Sequence, residues 1–517
     1  MKKKTLTGRI SGFFRRAPQG EEEPPSEPAP NDEPLPPATE GVNLLLISDL
    51  HLGEACKDHS RIEYLKRSAT LDEDLCRFLE HHTHNRLDGR PWRLVLAGDL
   101  LDFLQVTIVP TGASDEARRF GLGTTEEESA WKLSRLMERH RRAFVYLAGF
   151  VGAGHQLDII QGNHDEELFW PKVQETLVAG LKQIYFGGED TAEVTPEDFE
   201  SRVRFHPWCL HIPGVLYVEH GHRYDPYCAT PPQLCPLRPG DERELTQPLS
   251  GLAIRYFANL ERGFQTHDKE HWGLREYSAY YRSRGWGHLI DVWHRYVHFL
   301  KQAHQYYRDH GSLSSEAAHA QHQAALVEVA EAEQITLADL QALDTLGAPS
   351  VTSDAFGLYA GVGMAEWTAI SGALFVALLM LLTPWSWWVE LGLIGAGIFA
   401  GVRWVRYARG RFPLAAPIYL SDAAEQIGAR LKVPVVAMGH THKPLRRRQA
   451  FDHRAFYVNT GSFLAPHGPH HGPTEPCTCR TTFVVIPHAG AHDRPSPKLY
   501  RWCVVNQKPA PFKVKRG

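Results

Sequence analysis

Five short apolar runs recur along the chain, and each breaks off into a polar cluster. They are VNLLLIS from Val42, RLVLAG from Arg93, LDIIQG from Leu157, GVLYVEHG from Gly214 and VPVVAMGH from Val433. Val/Leu/Ile runs this short, bounded by glycine, predict buried strands. Between the first three lie TLDEDLCRFLEHH and EESAWKLSRLMERHRRAFVYLAG, which read as helical. From about residue 240 to 345 the strand pattern stops. There HLIDVWHRYVHFLKQAHQYYR sets Leu289, Val292, Tyr296, Phe299 and Ala303 on one helical face. SEAAHAQHQAALVEVAEAEQ is rich in alanine and also predicts helix. Strand signals return in VPVVAMGH, AFYVNTGS and TTFVVIP.

One stretch is apolar without relief: ALFVALLMLLTPWSWWVELGLIGAGIFAGV, Ala373 to Val402. Trp367–Thr383 and Trp385–Val402 form two runs split by Pro384, each close to the ~20 residues that cross a bilayer as a helix. Trp367, Trp385, Trp387, Trp388 and Trp404 stand at the ends and the turn, where interfacial aromatics belong. Glu390 is the one charge and lies near the turn. The pattern predicts a transmembrane or re-entrant helical hairpin; its plainer alternative is a buried hairpin of a soluble domain.

The organisation that follows is a basic tail and Pro/Glu-rich linker over 1–40, and an α/β domain in two parts, 41–239 and 412–517. A helical insertion over 240–350 and the hairpin over 365–405 separate those parts. Arg403, Arg406, Arg409 and Arg411 crowd the hairpin's exit, which places that side in the cytoplasm by the positive-inside tendency. The basic opening MKKKTLTGRISGFFRR agrees, since it suits an anionic lipid surface. The expected location is a membrane, the inner membrane of a bacterium, with the α/β domain on the cytoplasmic face.

At 517 residues, 43% hydrophobic and 22% charged, the chain has the makings of a multidomain globular protein with a sizeable core. A net charge of −4 argues against a nucleic-acid partner. Eight cysteines show no disulfide framework, and Cys477-Thr-Cys479 lacks a second close pair of the kind a zinc knuckle uses. Histidine is abundant, at 29 residues, which points to metal chemistry.

The polar clusters give that chemistry its shape. Asp49 and His51 lie in SDLHLG, Asp99 and Asp102 in GDLLDF, and Asn163, His164 and Asp165 in GNHDEE. His220 lies in EHGHRYD, and His440 and His442 in GHTHKP. Alone, each is a satisfied turn or surface pair. Five in series at strand ends, where ligands collect in layered α/β folds, read as parts of one site. Phosphate-ester hydrolysis needs a nucleophile and charge relief, which two divalent ions about 3.5–4 Å apart supply. Two dications set against Asp49, Asp99 and a bridging hydroxide leave about +1, enough to draw in a phosphate. Imidazole, carboxylate and amide ligands suit Mn, Fe or Zn.

In these five motifs the chain resembles the calcineurin-like metallophosphoesterases, marked by D-x-H, G-D-x-x-D, G-N-H-D/E, an H-G histidine and G-H-x-H in that order. The resemblance covers roughly residues 41–235 and 412–470. It implies an α/β fold, a layered β-sandwich flanked by helices, to which this chain adds the insertion and the predicted transmembrane hairpin. It implies that Asp49, His51 and His442 hold one metal, that Asn163, His220 and His440 hold a second, and that Asp99 bridges them. His164 would face the leaving-group oxygen, with Asp102 orienting its ring and Asp165 standing behind the ligands. His220 is preferred over His222 because it directly follows the apolar run and precedes Gly221.

The expected function is a membrane-associated dinuclear phosphoesterase acting on a phosphorylated small molecule or a lipid-linked phosphate. ISDLHL and GNHD also look like the enzymes that cleave UDP-diacylglucosamine, which makes a nucleotide-lipid pyrophosphate the alternative substrate. A rival of another class is a membrane scaffold with a non-catalytic metal centre. His294 and His298 in HRYVH lack the glutamate of a metalloprotease helix and read as packing or exposed residues. HGPHHG (His467, His470, His471) reads as a loop, Arg446–Arg448 as a solvated charge run, and Tyr224 and Asp225 as the pocket rim.

Overall fold

Each of the five apolar runs forms a strand: Asn43–Ile47, Trp92–Ala97, Gln156–Ile160, Leu216–Glu219 and Val435–Met438. The computed structural model describes residues 41–53, 61–187, 194–238, 240–261, 279–280, 283–312, 316–382, 386–411, 416–463, 477–488 and 494–512. The basic tail, the Pro/Glu-rich linker, Pro384 and the HGPHHG histidines lie outside these residues.

The strands sort into two principal sheets, giving a mixed α/β fold. The seven-stranded sheet runs Lys508–Pro511, Lys498–Cys503, Thr482–Ile486, Asn43–Ile47, Trp92–Ala97, Gln156–Ile160, Val203–His206. The five-stranded sheet runs Leu445–Arg448, Phe456–Asn459, Val435–Met438, Leu216–Glu219, Cys209–Ile212. Asn43–Ile47, Trp92–Ala97 and Gln156–Ile160 are parallel neighbours, with Leu45 opposite Leu94 and Leu94 opposite Leu157. Val435–Met438 lies parallel to both Leu216–Glu219 and Phe456–Asn459. All five motif-bearing strands therefore end on loops that meet at one rim of the molecule, which is what parallel pairing does to the residues after each strand.

Alternation decides which side chains face which layer. Leu44, Leu46, Val95, Ala97 and Ile160 of the large sheet meet Leu216, Val218, Val435, Ala437 and Val458 of the small one in a shared apolar layer. The opposite face of the large sheet, with Leu45, Leu94, Leu96 and Ile159, is covered by helices Arg61–His84, Glu126–Arg139, Arg141–Gly152 and Pro171–Phe186. The outer face of the small sheet, with Tyr217, Val436, Met438 and Tyr457, packs under Ala416–Leu431 and the insertion helices Glu316–Ala332 and Leu337–Asp344.

Two details differ from the sequence pattern. The stretch EESAWKLSRLMERHRRAFVYLAG forms two helices that break at His140, whose ring reaches Asp72 Oδ1 at 2.7 Å and the Gly53 carbonyl at 2.8 Å. The insertion does not begin in helix: Asp241–Leu245 forms a two-stranded ribbon with Leu237–Arg238. Of that ribbon strand only Leu245 is buried, so its charged sequence carries no alternation to announce it.

The apolar stretch folds as helices Met364–Leu382 and Trp387–Arg411, packed side by side with Trp404 Nε1 donating to Thr368 Oγ1 at 3.0 Å. Leu374, Phe375, Leu378, Leu391, Ile398 and Phe399 are all exposed on this pair. Among the described residues, Trp387–Ala408 is the one helix long and apolar enough by itself to cross a membrane, and none of its most apolar 18-residue window is buried. Met364–Met380 qualifies only together with Ala355–Gly361, from which it bends by 73°. Trp367 packs edge-on against Trp293 of the insertion, and Trp404 against Phe356, so aromatic contacts join the base of the pair to the insertion and to helix Ala355–Gly361.

Candidate metal centre

The turns after Asn43–Ile47, Trp92–Ala97 and Val435–Met438 are tight, and the backbone shows it. Asp49, His51, Asp99, His440 and His442 all have positive φ, between 48° and 66°. Non-glycine residues rarely adopt this left-handed region, and where they do the surroundings hold them there, typically at functional sites. Glycine is required where chain crosses chain. A Cβ on Gly98 (φ +86°) would lie 2.3 Å from His220 Nδ1, and one on Gly162 would lie 2.2 Å from Asp99 Oδ1.

These turns bring the sequence-selected residues together from 391 positions apart. His51 Nε2 and His442 Nε2 stand 3.2 Å from each other. Asp49 Oδ1 is 3.0 Å from His442 Nε2 and 4.0 Å from His51 Nε2. Asp99 Oδ2 lies 3.8 Å from His51 Nε2 on one side and 3.2 Å from His220 Nε2 on the other. His220 Nε2 also approaches Asn163 Oδ1 at 3.2 Å, while its Nδ1 donates to the Ala97 carbonyl at 2.9 Å. A backbone carbonyl that takes the Nδ1 proton leaves the Nε2 lone pair facing the pocket, the arrangement of a metal-binding imidazole.

His440 reaches the same wall, its ring centroid 5.3 Å from that of His220. Its Nε2 lies 3.2 Å from Asp225 Oδ2, and Asp225, Cys228 and His440 offer ligand atoms within 4.8 Å of one another. Asp225 is thus nearer the centre than a rim residue, and neither it nor Cys228 has a sequence signal beyond the nearby HRYDPYC. His222 is buried next to His220, with ring centroids 5.5 Å apart, and its Nδ1 takes no hydrogen bond. Burial holds the His222 imidazolium well below its usual range, so this ring is neutral.

The supporting residues face the pocket from behind. Asp102 Oδ1 lies 3.2 Å from His164 Nδ1, and Asp102 Oδ2 lies 3.8 Å from His51 Nδ1. Asp165 accepts from the amides of Gly162 at 2.7 Å and Leu100 at 2.8 Å, which ties the GNHD loop to the GDLL loop. Burial, with Asp99 close by, lifts the Asp165 carboxyl to about 7. Burial would raise Asp99 also, but His220, His164 and His51 outweigh it and hold that carboxyl well below the ordinary range. Burial opposes charge on His164, yet Asp102 and Asp99 prevail and lift its imidazolium to about 9.

The donor set could hold divalent metal. Asp49 Oδ1 is sealed from solvent and takes no hydrogen bond, and the atoms around it are imidazole nitrogens. Nitrogen and oxygen atoms 3–4 Å apart have the separation of ligands sharing one ion through bonds of about 2.0–2.2 Å. Two groups stand out, Asp49 with His51 and His442, and Asp49 with Asp99 and His220.

The residues set aside on sequence sit elsewhere. His298 stacks on Phe120 with centroids 4.7 Å apart, and His294 is exposed. Arg446 lies over the Phe456 ring at 4.0 Å, while Arg447 and Arg448 face solvent. No family model, no curated protein and no solved structure matches this chain.

Proposed function

We propose that the chain is a membrane-associated phosphoesterase of the calcineurin-like kind that works with two divalent ions, Mn, Fe or Zn. The observation that carries this reading is Asp99: one buried carboxylate with His51 Nε2 at 3.8 Å on one side and His220 Nε2 at 3.2 Å on the other. Asp49, His51 and His442 would hold one ion; Asn163, His220 and His440, with Asp225 beside it, would hold the other, and Asp99 would serve both. When bound, the ions supply an acidified water and relieve charge on the phosphoryl oxygens.

The protein's own groups do the rest. Asp102 Oδ1, 3.2 Å from His164 Nδ1, pairs with that edge of the imidazolium and fixes the ring, so the proton on Nε2 faces the departing oxygen. Asp165 keeps the two loops in register through the Gly162 and Leu100 amides. Burial of Asp49, Asp99 and His220 keeps bulk water from competing at the pocket wall.

The hairpin is proposed to hold the domain at a membrane, with both halves of the site on the cytoplasmic face. The exposed apolar side chains of the two helices support this, as does the length of Trp387–Ala408, about 33 Å at 1.5 Å per residue. The same exposed surface favours a lipid-linked phosphate or nucleotide-lipid pyrophosphate over a freely soluble ester.

The test is hydrolysis by full-length protein in detergent or vesicles, loaded in turn with Mn, Fe and Zn, against monoesters, diesters and nucleotide-lipid pyrophosphates. Metal-dependent turnover of at least one class, lost in Asp99→Asn, is the expected result. Metal binding without turnover of any class would favour the scaffold reading.

A further inference from the structure

Cys477, Cys479 and Cys503 take no part in the centre above, yet the fold gathers them: each sulfur lies within 4.8 Å of the other two. Strand pairing explains how. Thr482–Ile486 runs antiparallel to Lys498–Cys503 with Thr482 opposite Arg501, and Trp502 N donates to the Thr481 carbonyl at 2.9 Å. The chain entering one strand therefore passes the end of the other, where Cys503 sits. Arg501 Nη1 donates to the Cys477 carbonyl at 2.6 Å and fixes that approach.

We propose that these three cysteines form a separate thiolate site for a borderline or soft metal ion, with zinc as the preferred occupant. Cys479 and Cys503 are buried, at 3% and 1% exposure, Cys477 is half-buried, and none of the three is in a disulfide. An amide donor already points at one of the sulfurs: Asn506 N lies 3.4 Å from Cys503 Sγ. Such N–H groups are what supports sulfur ligands from behind. Sulfur also sets this site apart from the imidazole–carboxylate centre, because thiolates select zinc over manganese. Three sulfurs fill three corners of a tetrahedron and leave the fourth for water or another ligand. Each thiol gives its proton to solvent as its sulfur–metal bond forms, so a dication releases three protons and leaves the site with one negative charge. The bound ion would clamp the chain ahead of Thr482 to the edge ribbon of the large sheet.

The test uses full-length protein kept under reductant and loaded with cobalt in place of zinc, compared across four forms. Wild type and Asp99→Asn are expected to show sulfur-to-cobalt charge-transfer absorption; Cys479→Ser and Cys503→Ser are expected to lose it. Zinc analysis should give one equivalent more per chain in wild type than in either cysteine variant. Cys477→Ser, at the half-buried position, guards against misfolding of the buried variants and should also weaken the band while the far-UV spectrum stays unchanged. Absence of the band in wild type, or its survival in all three cysteine variants, would overturn the proposal. Either result leaves the phosphoesterase reading untouched, since Asp99→Asn removes that centre and spares the sulfurs.

Discussion

At the scale of single residues, Asp102 and Gly98 show how neighbours set a ligand's position. Asp102 sits between His164 and His51, at 3.2 and 3.8 Å, and also accepts from Gln105 Nε2 at 2.5 Å. In the proposed mechanism its loss disturbs orientation, whereas loss of His164 removes the proton donor. His164→Ala should lower kcat by roughly 10²–10⁴-fold with metal content unchanged, as steady-state kinetics and metal analysis will report. Asp102→Asn should cost less and alter the pH profile. Gly98→Ala would set a methyl 2.3 Å from His220 Nδ1, so the ring must leave the Ala97 carbonyl. That variant should fold, by circular dichroism, yet lose manganese from the His220 side. The DxH, GDxxD, GNHD and GHxH spacings were legible because each binds its side chains to one turn. Asp225 was legible only as part of the pocket rim, because its approach to His440 depends on chain 215 positions away.

At the scale of elements, the insertion is fastened to the sandwich by a buried ionic chain. Arg93 Nε donates to Asp158 Oδ2 at 2.6 Å, His206 Nε2 lies 2.8 Å from Asp158 Oδ1, and His206 Nδ1 lies 2.7 Å from Glu333 Oε1. Burial opposes charge on His206, but Asp158 and Glu333 outweigh it and lift its imidazolium from 6.5 to about 9. A raised histidine stabilises the fold fully below about 6.5, and that contribution is lost as pH rises through about 9. The stability gap between wild type and His206→Gln should therefore be largest near pH 6, on the order of 3 kcal/mol, and close above pH 9. Denaturant titrations across that range check it; a gap that is flat with pH contradicts it. Helix Trp286–Ser312 was legible from its apolar stripe, with Phe299 and Ala303 buried as the period requires. The break at His140 was not, since it follows from contacts to Asp72 and Gly53, distant in sequence.

At the scale of the molecule, one domain is assembled from two distant halves of the chain, and the apolar helix pair lies between them in sequence. Because Met364–Leu382 and Trp387–Arg411 pack side by side, the chain returns to where it left. Wild type should float with liposomes, whereas a variant carrying Leu378→Glu, Leu391→Glu and Ile398→Glu should remain in the dense fraction and keep its hydrolytic activity. Retention of both proteins in the dense fraction contradicts the membrane reading. The two-sheet layering was partly legible: the strands announced themselves, but which strand joined which sheet did not, because pairing depends on contacts across hundreds of residues. The most direct measurement is metal stoichiometry with manganese, an ion the sulfur cluster disfavours. Chelated and reconstituted wild type should bind about two manganese ions per chain and hydrolyse a phosphoester, while Asp99→Asn should lose both properties. Wild type that binds no manganese, or an Asp99→Asn variant as active as its parent, would contradict the account.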